Sequence, residues 1–260
     1  MITNLRVVRT AFELDIKQQA VDLFMIFGVL IQPLLIAIMA IYMLKGRDAS
    51  RGVYVVVGSG MTGLWTSLLF RGTFNINGER WLGTLEGIVA SPTSLGTVVI
   101  GKTLASVSVS LLSMIFSYGL AALIFHFPVS IAQPVPFFAS LLVTMLAFIS
   151  FGLLISPLMA VNLSLTGWVN ALEYPMYILG GFLFPILMLP DWTNPISYML
   201  APYWAARVLH ATSRGGATLP EILLSWGMML LLAGIYMVIS YRLFRIVLHR
   251  ARVDATLSLM

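Results

Sequence analysis

Residues 135–160 read VPFFASLLVTMLAFISFGLLISPLMA, a run without one acidic or basic side chain. A helix rises about 1.5 Å per residue and the hydrocarbon core of a bilayer is about 30 Å thick, so about 20 mostly apolar residues cross it. Five comparable runs lie around this one, at 23–44, 53–70, 97–125, 168–189 and 219–248. Those at 97–125 and 219–248 are longer than a bilayer needs, which predicts tilt or protrusion into water. The fold class so read is an all-α integral membrane protein with six transmembrane helices.

Composition points the same way. Of 260 residues, 59% are hydrophobic and 10% charged, with a mean hydropathy of +0.96. A soluble domain carries roughly 25% charged residues. The absence of cysteine removes disulfides, thiolate nucleophiles and cysteine metal sites. Three scattered histidines, His126, His210 and His249, do not suggest a metal cluster, and no catalytic, cofactor or metal site is read in this chain. The net charge of +5 is explained by anionic lipid and the positive-inside rule rather than by nucleic acid. The first 22 residues mix charges throughout and show no cleavable signal peptide.

Six spans place both termini on one side of the membrane. With that side cytoplasmic, the inner segments hold ten Lys and Arg (Arg6, Arg9, Lys17, Arg71, Arg80, Lys102, Arg242, Arg245, Arg250 and Arg252). The outer segments hold five, Lys45, Arg47, Arg51, Arg207 and Arg214. The excess predicts cytoplasmic termini in a multi-pass protein of the inner, cytoplasmic membrane, with 249–260 as a cytoplasmic tail.

Three other segments matter. Residues 1–22 are too polar to cross, but Leu5, Val8, Phe12 and Ile16 recur at helical steps, predicting an amphipathic helix on the cytoplasmic interface. The loop 71–96 contains a short helical pattern at 79–90, with Trp81, Leu82, Leu85, Ile88 and Val89 apolar and Pro92 as a stop. Such a helix either docks in another protein's groove or lies on the membrane surface. The outer loop 190–218 carries three prolines, two tryptophans and two tyrosines, and either dips into the membrane or anchors at its interface.

One motif misleads. Residues 96–103, GTVVIGKT, match the nucleotide-binding pattern G-x-x-x-x-G-K-T. That mechanism needs a buried strand and then a flexible loop whose amides cradle phosphates. Here bulky apolar residues open a membrane span instead, so Lys102 reads as an interfacial anchor reaching toward lipid phosphates. Within the spans, Glu173 is the notable acidic residue; it lines a cavity, binds a cation or couples a proton, or reaches the headgroups with Asn170. Gly58, Gly60 and Gly63 predict close helix contact, and Pro175, Gly180, Gly181 and Pro185 interrupt the fifth span.

Two stretches carry a resemblance: ERWLGTLEGIVASPTSLGTVVIGKTLA at 79–105 and GGFLFPILMLPDWTNPIS at 180–197. With the order of spans and loops, they are similar to the membrane subunits of ABC transporters of the type-2 permease family. That family exports drugs, polysaccharides and teichoic acids. The resemblance implies that 79–90 is a coupling helix seated in a separate ATPase, with Glu79, Arg80, Trp81, Leu82, Gly83, Thr84, Leu85, Glu86 and Ile88 as its contacts. It implies an outer re-entrant hairpin at 191–213 bearing Trp192, Tyr198, Tyr203, Trp204 and Arg207. A translocation path lined by the second and fifth spans would include Trp65, Glu173, Tyr177, Phe182 and Phe184. The implied partners are two ABC ATPase subunits, which would bind ATP and Mg, a second permease subunit, identical or sister, and membrane lipid. The implied function is ATP-driven export of an amphipathic or lipophilic drug or natural product, with a lipid-linked polysaccharide or teichoic acid as the alternative cargo. A membrane-embedded enzyme fits less well, because no Glu-x-x-x-Arg or His-Glu-x-x-His arrangement occurs. An ion-coupled secondary transporter would be expected to show inverted repeats and several buried polar sites.

Overall fold

A computed structural model describes residues 2–43, 50–81, 83, 87, 95–125, 131–161 and 166–253. Among them there are helices and no strands. The helices are α1 (Ile2–Val21), α2 (Leu23–Ile26), α3 (Gln32–Met43), α4 (Ser50–Trp81), α5 (Leu95–Phe125), α6 (Pro134–Val161), α7 (Thr166–Leu179), α8 (Asn194–Tyr198), α9 (Ala201–Arg214) and α10 (Leu219–Val253). Three described segments are long and apolar enough to cross a membrane: Thr97–Phe116, Pro134–Ile155 and Leu219–Leu243. Tyr54–Phe70 is a shorter apolar helix.

The first apolar run is one helical stretch with a π-helical turn, Phe27–Ile31, between α2 and α3. Gln32 N–H bonds the Phe27 carbonyl, five residues back. The next residue, Pro33, has no N–H to give, so the ladder is loosened where Gln32 begins α3.

The hub is α4. Every residue from 55 to 70 is buried, and the helix packs against α3, α5, α6, α7 and α9. Its glycines make this possible: a Cβ on Gly58 would lie 2.0 Å from the Phe182 carbonyl oxygen, and one on Gly63 2.8 Å from Pro33 Cγ. Trp65 is enclosed by Phe148, edge-on at 5.0 Å, and Phe151 at 5.1 Å. Polar atoms join the helices where lipid would leave them unsatisfied. Ser110 donates to Ser67 Oγ at 2.7 Å between α5 and α4, Trp226 to Ser140 Oγ at 2.8 Å between α10 and α6, and Ser240 to the Leu153 carbonyl at 2.6 Å.

Several element boundaries differ from the apolar runs. The second run, 53–70, is part of a helix that continues to Trp81. Apolarity marks the membrane crossing, whereas the helix ends where backbone geometry changes, and 71–81 holds no proline. The fifth run, 168–189, is helical only to Leu179. There the chain closes a Schellman turn: Phe182 N–H bonds the Tyr177 carbonyl at 3.2 Å and Gly181 N–H bonds Ile178 at 3.1 Å. Gly181 takes φ +68, the left-handed conformation that glycine adopts without cost, and the Phe182 and Tyr177 rings pack at 5.8 Å. Residues 249–253 extend α10, and 254–260 lie outside the described residues.

The N-terminal helix also packs differently from its apolar pattern. Its buried stripe is Ala11, Asp15 and Gln19, while Leu5 is largely exposed. Gln19 donates to Asp15 Oδ2 at 2.6 Å. This face meets α5, where a Cβ on Gly101 would come within 2.5 Å of the Val8 carbonyl oxygen. Lys102 is buried, not spread along the lipid surface. The GTVVIGKT segment is continuous helix from Leu95 onward, with neither strand nor phosphate-cradling loop.

Candidate functional site

Glu173 sits on α7 at a meeting of three helices and is 5% exposed. Thr66 on α4 donates its hydroxyl to Glu173 Oε1 at 2.6 Å, and Gln32 Nε2 on α3 donates at 3.4 Å. Tyr177, one turn along α7, donates its phenolic hydroxyl to the same oxygen and also meets the Thr66 hydroxyl. A carboxylate oxygen that collects three donors from three helices is a closed polar junction. The turn after α7 is held as tightly. Tyr54 donates to the Gly181 carbonyl at 3.0 Å, the Phe182 carbonyl meets His210 Nε2 at 3.0 Å, and Gly58 lets the backbone approach.

Next to this turn lies a cavity of about 440 Å³, within the usual range for ligand sites. One face of α9 supplies Tyr203, Ala206, Arg207, His210, Ala211 and Arg214, and Pro185, Ile186 and Leu187 form an apolar wall. His210 stacks on Tyr54 with centroids 3.6 Å apart and 6° between planes, while the Arg214 guanidinium lies 4.7 Å from the Tyr54 centroid. Burial pushes the His210 imidazole down to about 3, so the ring is neutral. A neutral ring facing a carbonyl carries its proton on Nε2, which leaves the buried Nδ1 as an acceptor without a donor.

The sequence-predicted residues fall into three groups. Glu173, Tyr177 and Phe182 come together around the α4–α7 junction, whereas Trp65 packs against Phe148 and Phe151 of α6; all four are buried within this chain, and Phe184 is half-buried beyond the turn. The surface of α7 is instead the stripe Ala171, Tyr174, Pro175 and Ile178. In the segment 191–213 Tyr198, Tyr203 and Trp204 cluster with centroids 5.1 to 6.2 Å apart. Trp204 Nε1 donates to the Tyr198 carbonyl at 2.9 Å, Arg207 lies over the Trp204 ring at 5.6 Å, and Trp192 is exposed. Of the coupling set, Glu79, Arg80 and Trp81 end α4, and Gly83 has φ +69. Leu82, Thr84, Leu85, Glu86 and Ile88 lie outside the described residues.

Sequence reasoning missed the partners of Glu173 and the stack of Tyr54, His210 and Arg214. Gln32 before Pro33 and Thr66 within an apolar run are polar residues in spans, which is the signal that was available.

Among the described residues the chain is helical, three segments are long and apolar enough to cross a membrane, and polar junctions join the helices around α4, which marks a membrane protein. Residues 45–242 match the family model described as ABC-2 family transporter protein. The chain belongs to that family, a membrane component of transport that works with ABC ATPases. No curated protein matches the chain at the level of sequence.

Proposed function

We propose that this chain is the permease subunit of an ATP-driven exporter of the cytoplasmic membrane, with six spans and both termini cytoplasmic. It pairs with a second permease, identical or sister, and two separate ATPase subunits bind ATP and Mg. The cargo is an amphipathic or lipophilic molecule, a drug or natural product.

The observation that carries this reading is the course of α4. The helix at the centre of the subunit, packed on α3, α5, α6, α7 and α9, runs unbroken to Glu79, Arg80 and Trp81, the first residues of the coupling segment. A docked ATPase that moves this end moves a rigid lever whose other end touches the α7 turn through Gly58 and Tyr54. ATP binds preferentially to the closed ATPase dimer, and that difference in binding energy is what shifts the permease between two states. The exposed α7 stripe of Ala171, Tyr174, Pro175 and Ile178 is the surface offered to cargo and to the second permease. The outer segment around α8 and α9 closes the path from outside.

Placing glutamate at both Trp81 and Leu85 puts charge into the coupling contact. Reconstituted with its ATPase in vesicles, the double variant should bind cargo yet lose ATP-driven transport. Transport at the unmodified rate in that variant rules the coupling role out.

A further inference from the structure

The cavity beside the α7 turn is basic at two points. Arg207 and Arg214 lie two helical turns apart on the same face of α9, and both line it. Among the described residues no salt bridge to either arginine is seen. Glu221 feels the charge of Arg207 but makes its hydrogen bonds to Thr218: its Oε2 accepts from the Thr218 main-chain N–H at 3.1 Å and the Thr218 hydroxyl at 2.9 Å. This is the capping interaction that opens α10. Each guanidinium rests on an aromatic face, Arg207 on Trp204 and Arg214 on Tyr54, and Arg207 also engages the Tyr203 hydroxyl; five N–H donors per guanidinium leave further ones for a ligand. The opposite wall is apolar, and Leu187 is 88% exposed beside an exposed Met188.

We propose that this cavity seats the anionic head group, a phosphate or carboxylate, of a membrane amphiphile. Arg207 and Arg214 hold the head group, and the apolar chain runs along Pro185, Ile186 and Leu187. The exposed apolar wall argues for an amphiphile over a soluble anion, since a soluble anion gains nothing from Leu187. The site is built from this chain alone, so its test needs neither the ATPase nor the second permease and stands apart from the exporter reading.

The test uses the purified full chain in a neutral maltoside detergent. Calorimetry compares three probes: short-chain phosphatidylglycerol, phosphatidylcholine with the same acyl chains, and inorganic phosphate. The anionic lipid should bind at least about tenfold tighter than the zwitterionic one. The double substitution Arg207→Gln and Arg214→Gln should abolish that preference. Both side chains are exposed, so the fold survives and thermal melting verifies it. The pair Arg207→Lys and Arg214→Lys, which keeps charge but not the planar fork, should retain only part of the preference. Equal binding of the two lipids, or an anionic preference that persists in the glutamine variant, overturns the proposal. Inorganic phosphate binding as tightly as the anionic lipid overturns the amphiphile assignment and makes the site one for a soluble anion.

Discussion

Replacing Glu173 with leucine removes the acceptor shared by Thr66, Tyr177 and Gln32. A buried donor left unsatisfied costs about 1–3 kcal/mol, so Glu173→Leu should melt well below the parent in detergent. Glu173→Gln keeps the shape and one acceptor oxygen and should lose less. Equal melting of the leucine variant and the parent would mean that the junction does not hold α3, α4 and α7 together. At this scale the sequence is legible only in part. An acid inside an apolar run announces itself because burying charge is expensive, and Tyr177 lies one helical turn away, but the partners on the other helices are 107 and 141 residues away, and periodicity carries no information about contacts across that distance. Lys102 is the converse case. Its place at the start of a span reads as a lipid anchor, yet it is buried, in a stretch of α5 where Gly101 admits the backbone of α1.

Among the elements, the contact between α4 and the turn after α7 has the tightest tolerance. Any side chain larger than hydrogen at Gly58 meets the Phe182 carbonyl oxygen at 2.0 Å. Overpacking of a filled core costs about 1–3 kcal/mol, so Gly58→Val should lower the melting temperature and reduce ATP-driven transport together. Gly78→Ala on the same helix meets nothing within 4 Å and should be neutral or stabilising. Similar melting of the two variants would remove the special role of this contact. The glycine-rich pattern at 58–63 was enough to read close packing, because only a missing Cβ lets backbones approach so nearly. The end of α7 was legible in principle as well, from Gly180–Gly181 followed by Phe182 and Pro185, a Schellman signature. Hydropathy hides it, since apolar residues continue to 189 whether or not they are helical. The extension of α4 past its apolar run is hidden for the opposite reason: a polar helix leaves no apolar trace.

For the whole molecule, composition and bilayer-length runs lead to a helical membrane protein because the bilayer admits few alternatives. The family match over 45–242 agrees with the resemblance read at 79–105 and 180–197. Cargo is less legible, since an apolar surface suits lipid, helix packing and lipophilic ligands alike. The partner is what the account depends on: the proposed role of α4 as a lever requires a motor docked at its Trp81 end. The most direct measurement is affinity purification of the full chain from its native host in mild detergent, with identification and stoichiometry of the proteins that accompany it. The account predicts an ABC ATPase at one copy per permease. It also predicts loss of that ATPase when Trp81 and Leu85 are replaced by glutamate. Recovery of the chain without any ATPase across several mild detergents would contradict it.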